Sequence, residues 1–163
     1  MSICGLQFDS ISPLPFKPAL QAHYVDGAVS KWPGPITYGR GFVWIDATGA
    51  SPKAAFWRDI EQGDGTPGDF PGWLDERHAA GLGWGGGYCS RDLLPEMISR
   101  AGSRPWSLWL ATLDGTIPDA AELELPPNIT LIAVQAFPAA MVGGINIDVS
   151  VVVDEAYWTE RHA

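Results

Sequence analysis

Five stretches of this chain are apolar almost without a break: GFVWIDATG at 41–49, AAFWRDIE at 54–61, WSLWLATL at 106–113, ITLIAVQAF at 129–137 and INIDVSVVVD at 145–154. A strand with one wet face alternates apolar and polar residues, whereas a near-continuous apolar strand is covered on both faces. Such strands belong to a parallel sheet with helices laid over it. AHYVDGAV at 22–29 and GWGGGYCS at 83–90 add two weaker candidates, giving about seven strands. Residues 66–81 read as a helix with Thr66 or Asp69 as cap, Pro71 in its first turn and Gly81 just beyond its end. Residues 91–102 read as a second helix that Gly102 stops, with Pro95 in its first turn. Residues 1–21, with Pro13, Pro15 and Pro18, read as an irregular N-terminal arm, and AYWTERHA as a short tail. The order predicts an α/β domain over 22–163, a reduced (β/α) TIM-like barrel of about seven mostly parallel strands with few full helices. A full eightfold barrel takes about 250 residues, or about 200 at the low end, and this chain has 163.

Charge and composition exclude several functions. A net charge of −9 disfavours nucleic acid and anionic membrane surfaces, which reward Lys and Arg. No window approaches the roughly 18 uninterrupted apolar residues of a membrane span. The opening MSICGLQFDS lacks the basic and apolar regions of a signal peptide. Cys4 and Cys89 read as free thiols, and His23, His78 and His162 are scattered, so no metal site and no cofactor are expected. The 8 Trp suggest stacking surfaces, for sugars or for partner subunits, beside their ordinary role of filling a core.

Two acid-X-acid pairs occur, Asp59/Glu61 and Glu122/Glu124. The second lies in a polar connection and reads as solvated. The first ends an apolar strand, where a period of two sends both side chains to one face. In parallel α/β folds, sites form beyond the carboxyl ends of strands. Asp26 ends the 22–29 run and Asp148 lies in the last strand, so four carboxylates are candidates for one mouth. Like charges in a partly dry cleft repel, and one acid then keeps its proton while another ionises. Glycoside hydrolysis needs that pair: an acid for the leaving oxygen and a carboxylate as base or nucleophile.

RDIEQGDGTPGDFPGWLDERHAAG followed by GGYCSRDLL resembles the glycoside-hydrolase-like domains of actinobacteria and their phages, relatives of the family 25 lysozymes. YVDG at 24–27, LWLA at 108–111, VQAF at 134–137 and IDVSV at 147–151 extend the resemblance over residues 22–158. It implies a modified (β/α) barrel that cleaves peptidoglycan, without metal or organic cofactor. Carried over by position, it implies Glu61 as general acid, Asp59 as partner carboxylate, and Asp26 and Asp148 as the first- and last-strand acids. Tyr88, Trp109 and Gln135 would line the sugar groove. The partner is then a cell-wall glycan. The alternative from another class is a phage virion structural protein, a minor tail component held to other tail proteins through the arm at 1–21. A glycan-binding module without catalysis is the third reading. The expected location is a phage tail or the cytoplasm of the producing cell.

Ordinary roles account for several other residues. Asp64 reads as a cap or turn residue, Asp46 as a turn residue bonding nearby N–H groups, and Cys89 as a buried inert thiol. The glycines of GWGGG at 83–87 lack the Lys-Ser/Thr of a phosphate loop and read as sites of close backbone packing.

Overall fold

The computed structural model describes residues 3–9, 18–27, 41–142 and 144–162. Within them eight strands close into one barrel in the order β1 to β8. The strands are β1 (Gly5–Asp9), β2 (Leu20–Tyr24), β3 (Phe42–Asp46), β4 (Trp57–Ile60), β5 (Gly86–Ser90), β6 (Trp106–Ala111), β7 (Ile129–Val142) and β8 (Ile145–Val152). Neighbours from β1 through β7 run parallel, while β8 is antiparallel to both β7 and β1. Three short helices complete the fold: α1 (Phe70–Ala79), α2 (Leu94–Ala101) and α3 (Glu155–His162).

This architecture overturns the expected TIM-like barrel: it is a closed, mixed, mostly β barrel in which helices do not alternate with strands. Two physical reasons stand out. Only residues 143 and 144 separate β7 from β8. A parallel return needs a crossover of a dozen or more residues, so a connection this short can only make an antiparallel hairpin. The second reason is β1. GLQFD, inside the segment expected to be an irregular arm, pairs with β2 on one side and β8 on the other and closes the barrel. Pro13 and Pro15, and the end of the 22–29 run, lie outside the described residues.

Where helices do cover the sheet, the sequence signals explain them. Pro occupies the first turn of both α1 and α2, and Gly81 and Gly102 follow their ends at φ values of 76° and 62°, which favour glycine. Phe70, Trp73 and Leu74 of α1 and Leu94, Met97 and Ala101 of α2 pack with Ile60, Cys89, Leu108 and Leu110 on the outside of β4, β5 and β6. Gly87 of β5 permits this approach, since a Cβ there would meet the Met97 side chain at 2.5 Å; Gly86 makes room on the inner side for the Trp57 ring, which a Cβ would meet at 2.2 Å.

Inside the barrel, Trp57, Trp109, Tyr88 and Tyr157 stack edge to face. Tyr157 and Trp158 come from α3, the segment expected to be a plain tail. The helix plugs the end of the barrel where β1 and β4 begin: Gly5 sits against the Trp158 ring, and the Tyr157 hydroxyl donates to Gln7 Oε1 at 3.1 Å. Some polar groups in the interior are paired within it, as Trp109 Nε1 is with Ser150 Oγ at 2.8 Å. Among the described residues, no helix is long and apolar enough to cross a membrane.

Candidate functional site

With one end plugged, the wet chemistry gathers at the other, where the parallel strands end and β8 begins. Asp59 lies near the end of β4 and is only 1% exposed. The Tyr24 hydroxyl, from the end of β2, donates to its Oδ2 at 3.2 Å. Glu61 follows half-buried, and Asp64 is exposed in the turn closed by Asp64 N–H donating to Glu61 O at 3.1 Å. Each of these three acids brings a carboxylate oxygen within 4.8 Å of the others. Asp148 of β8 is opposite Asp9 of β1 in the strand register, and its Oδ1 accepts the Ala139 N–H at 2.8 Å.

Burial sets the electrostatics. Loss of water pushes the Asp59 carboxyl up to about 8, and the negative charges of Glu61 and Asp64 add to it; the Tyr24 hydrogen bond and the Arg58 charge only partly offset the rise. Glu61 is raised by burial too, against a hydrogen bond from Tyr88, with Asp64 and Asp148 adding to the rise. The Tyr88 hydroxyl also donates to Gln135 Oε1. Its single proton thus has two acceptors, Gln135 and the Glu61 carboxylate. Burial, Glu61 and Asp59 lift the Tyr88 hydroxyl far above the ordinary phenol value, so it remains a donor.

Of the acids singled out in the sequence, Asp59, Glu61 and Asp148 face this mouth and Asp26 does not. Asp26 braces the turn after β3, accepting the N–H groups of Ala47 and Thr48 at 2.9 and 3.3 Å and the Thr48 hydroxyl at 2.9 Å. Burial raises its carboxyl, but hydrogen bonds from Ser51, Thr48 and Ala47 outweigh that and leave it below the ordinary range. Among the expected groove residues, Tyr88 and Gln135 form the floor beneath the acids, both buried. Trp109 is 0% exposed and props Tyr88 from below with ring centroids 5.0 Å apart, so it lines no surface.

Three contributors were not assigned from sequence. Asp9 was hidden by the arm reading, and β1 gives little pattern to find it by, since it buries the polar Gln7 and exposes Leu6. Tyr24 lies in the YVDG motif, where only Asp26 was given a role. Asp64 was expected to cap or turn; it lies in the turn after β4, Asp69 holds the N-cap position of α1, and Asp64 also joins the acids. Other ordinary roles hold: Asp46 accepts the N–H groups of Gly49 and Ser51 at 2.6 and 2.8 Å, and Cys89 is buried with its thiol pushed up to about 12 by burial and the neighbouring acids.

No family model matches this chain, and neither the curated proteins nor the solved structures contain a match to it. The resemblance to family 25-related domains therefore rests on the short motifs alone.

Proposed function

We propose that the barrel mouth engages bacterial cell-wall glycan and hydrolyses it by a two-carboxylate mechanism, with Glu61 as the proton donor. The observation that carries this reading is the placement of Glu61. It is half-exposed, its carboxyl is raised, it is tethered by Tyr88, and it is flanked by Asp59, Asp64 and Asp148. A general acid needs contact with the substrate and a proton to give. Asp59, buried behind Glu61, lacks the contact. Its part is to keep charge off the site floor, while Asp64 or Asp148 supplies the carboxylate that stabilises a positive sugar carbon or attacks it.

A second reading, glycan binding without cleavage, rests on the exposed acids of the mouth, because the deep burial of Tyr88, Gln135 and Trp109 leaves none of them free to grip a sugar ring. One experiment separates the two. Purified peptidoglycan is incubated with the protein and with Glu61→Gln, and both released reducing ends and bound protein are measured. Hydrolysis predicts release that falls by at least about a hundredfold in Glu61→Gln, the scale of a lost acid catalyst. Full release by Glu61→Gln removes Glu61 from its role. Retention on the glycan with no release by either protein supports binding alone, and neither release nor retention ends the glycan reading.

A further inference from the structure

The same acids carry an inference that does not depend on the glycan. Clustered carboxylates are common on protein surfaces without a ligand, but this cluster has a buried end. Asp59 is 1% exposed, and while Tyr24 satisfies its Oδ2, its Oδ1 is buried with no hydrogen-bond donor. A buried carboxylate oxygen without a partner costs free energy that a ligand can recover. Among the described residues no side chain forms an ion pair with it. Ion pairs among the described residues join Arg100 to Glu96, Arg104 to Asp75 and Arg161 to Glu160, none of them at the mouth. Arg58, adjacent in sequence, spends Nη1 on the carbonyl oxygens of Asp46, Ala47 and Asp59.

We infer that Asp59, Glu61 and Asp64 form a calcium-binding site at the barrel mouth. The donor set is all carboxylate oxygen, with neither Cys nor His in it, which selects a hard cation over zinc or copper. Oxygens that share one calcium lie about 2.3–2.6 Å from it and so up to roughly 5 Å from one another. The three oxygens here lie within 4.8 Å of each other, inside that pairwise limit. Three carboxylates leave the remaining positions of a six- to eight-coordinate ion to water, and the exposure of Asp64 and half-exposure of Glu61 give water access. Geometry also makes the cation mutually exclusive with a proton on Asp59 or Glu61, so binding displaces any proton held there. Calcium is expected to slow any hydrolysis at this mouth, not to support it.

The test is calorimetric titration of the chelator-treated protein with CaCl2 at neutral pH, paired with thermal melts. The expected result is one site per chain and a melting temperature that rises with calcium. Asp64→Asn is the informative variant, because Asp64 is exposed and its carboxylate accepts no hydrogen bond among the described residues. It is expected to melt like the parent without calcium and to bind at least about tenfold more weakly, since calcium affinity follows ligand charge. Absence of both heat and a thermal shift at about 10 mM CaCl2, beyond the range of natural calcium sites, overturns the inference. So does unchanged binding by Asp64→Asn, and tighter binding of MgCl2 overturns the choice of calcium. Glycan release without calcium binding would retire the cation and leave the hydrolytic reading standing; calcium binding without release would do the reverse.

Discussion

Asp59 holds a carboxyl where water cannot reach it, and this has a consequence for stability. Its proton is bound up to a pH of about 8 in the folded chain, against about 3.9 for a free aspartate. Between those values the native state holds a proton that the unfolded state releases, so stability falls as pH rises. The contribution is complete below pH about 4 and gone above pH about 8, with a slope of at most about 1.4 kcal/mol per pH unit. Glu61 is shifted the same way and adds to it. Urea unfolding in chelator at several pH values across this window should show the decline, and Asp59→Asn should flatten it. A parent and variant with equal slopes would mean that Asp59 is ionised in the folded chain. The acid pair itself was legible in the sequence, because a period of two at the end of an apolar strand dictates a shared face. Which acids join it was not legible. Asp26, two residues past the end of β2, turns toward the N–H groups of Ala47 and Thr48, whereas Asp148, within β8, stays at the mouth; the apolar runs do not encode that choice.

Strands β2 to β8 and helices α1 and α2 were each visible as an element, through continuous apolar runs and through Pro and Gly at helix ends. What the runs did not disclose was direction. Continuous apolar character argues for cover on both faces, and a barrel interior supplies one of those faces without a helix. The inner cover here is side chains such as Trp57, Trp109 and Tyr88. α3 was missed because its short sequence has no apolar stripe of ordinary length, and its order comes from tertiary packing. Its hold on the barrel centres on one hydroxyl. Tyr157 Oη accepts from Trp57 Nε1 at 3.3 Å and donates to Gln7 Oε1 at 3.1 Å, all within the interior. Tyr157→Phe keeps the ring and leaves both partners unsatisfied, which should cost about 1–3 kcal/mol. Denaturant unfolding checks this as a lower midpoint with an unchanged slope. A midpoint equal to that of the parent would mean that water or a rearranged Gln7 replaces the hydroxyl and that ring packing alone seats α3.

At the scale of the whole molecule, closure gives the barrel two unlike ends. One is sealed by aromatic rings from α3; the other carries Asp9, Asp59, Glu61, Asp64 and Asp148 around a floor of Tyr24, Tyr88 and Gln135. Sealing one end confines ligands and ions to the acidic one, so any chemistry on a glycan must use carboxylates spaced as the strand ends space them. That spacing fixes a stereochemical outcome. Inverting hydrolysis keeps its two carboxyl groups about 6.5–9.5 Å apart to admit a water between them, and retaining hydrolysis keeps them about 5–5.5 Å apart. Asp59, Glu61 and Asp64 each place one oxygen within 4.8 Å of the others, nearer the retaining spacing than the inverting one. Cleavage by Glu61 with a neighbour from this trio should therefore release a product whose anomeric configuration is retained, with Asp64 as the nucleophile because Asp59 is buried. Proton NMR of the reducing end, recorded before mutarotation, distinguishes the outcomes. Retention together with loss of activity in Asp64→Asn supports the assignment. Inversion would exclude both Asp59 and Asp64 as the partner and transfer that role to Asp148, across the barrel on the one strand that runs against the rest.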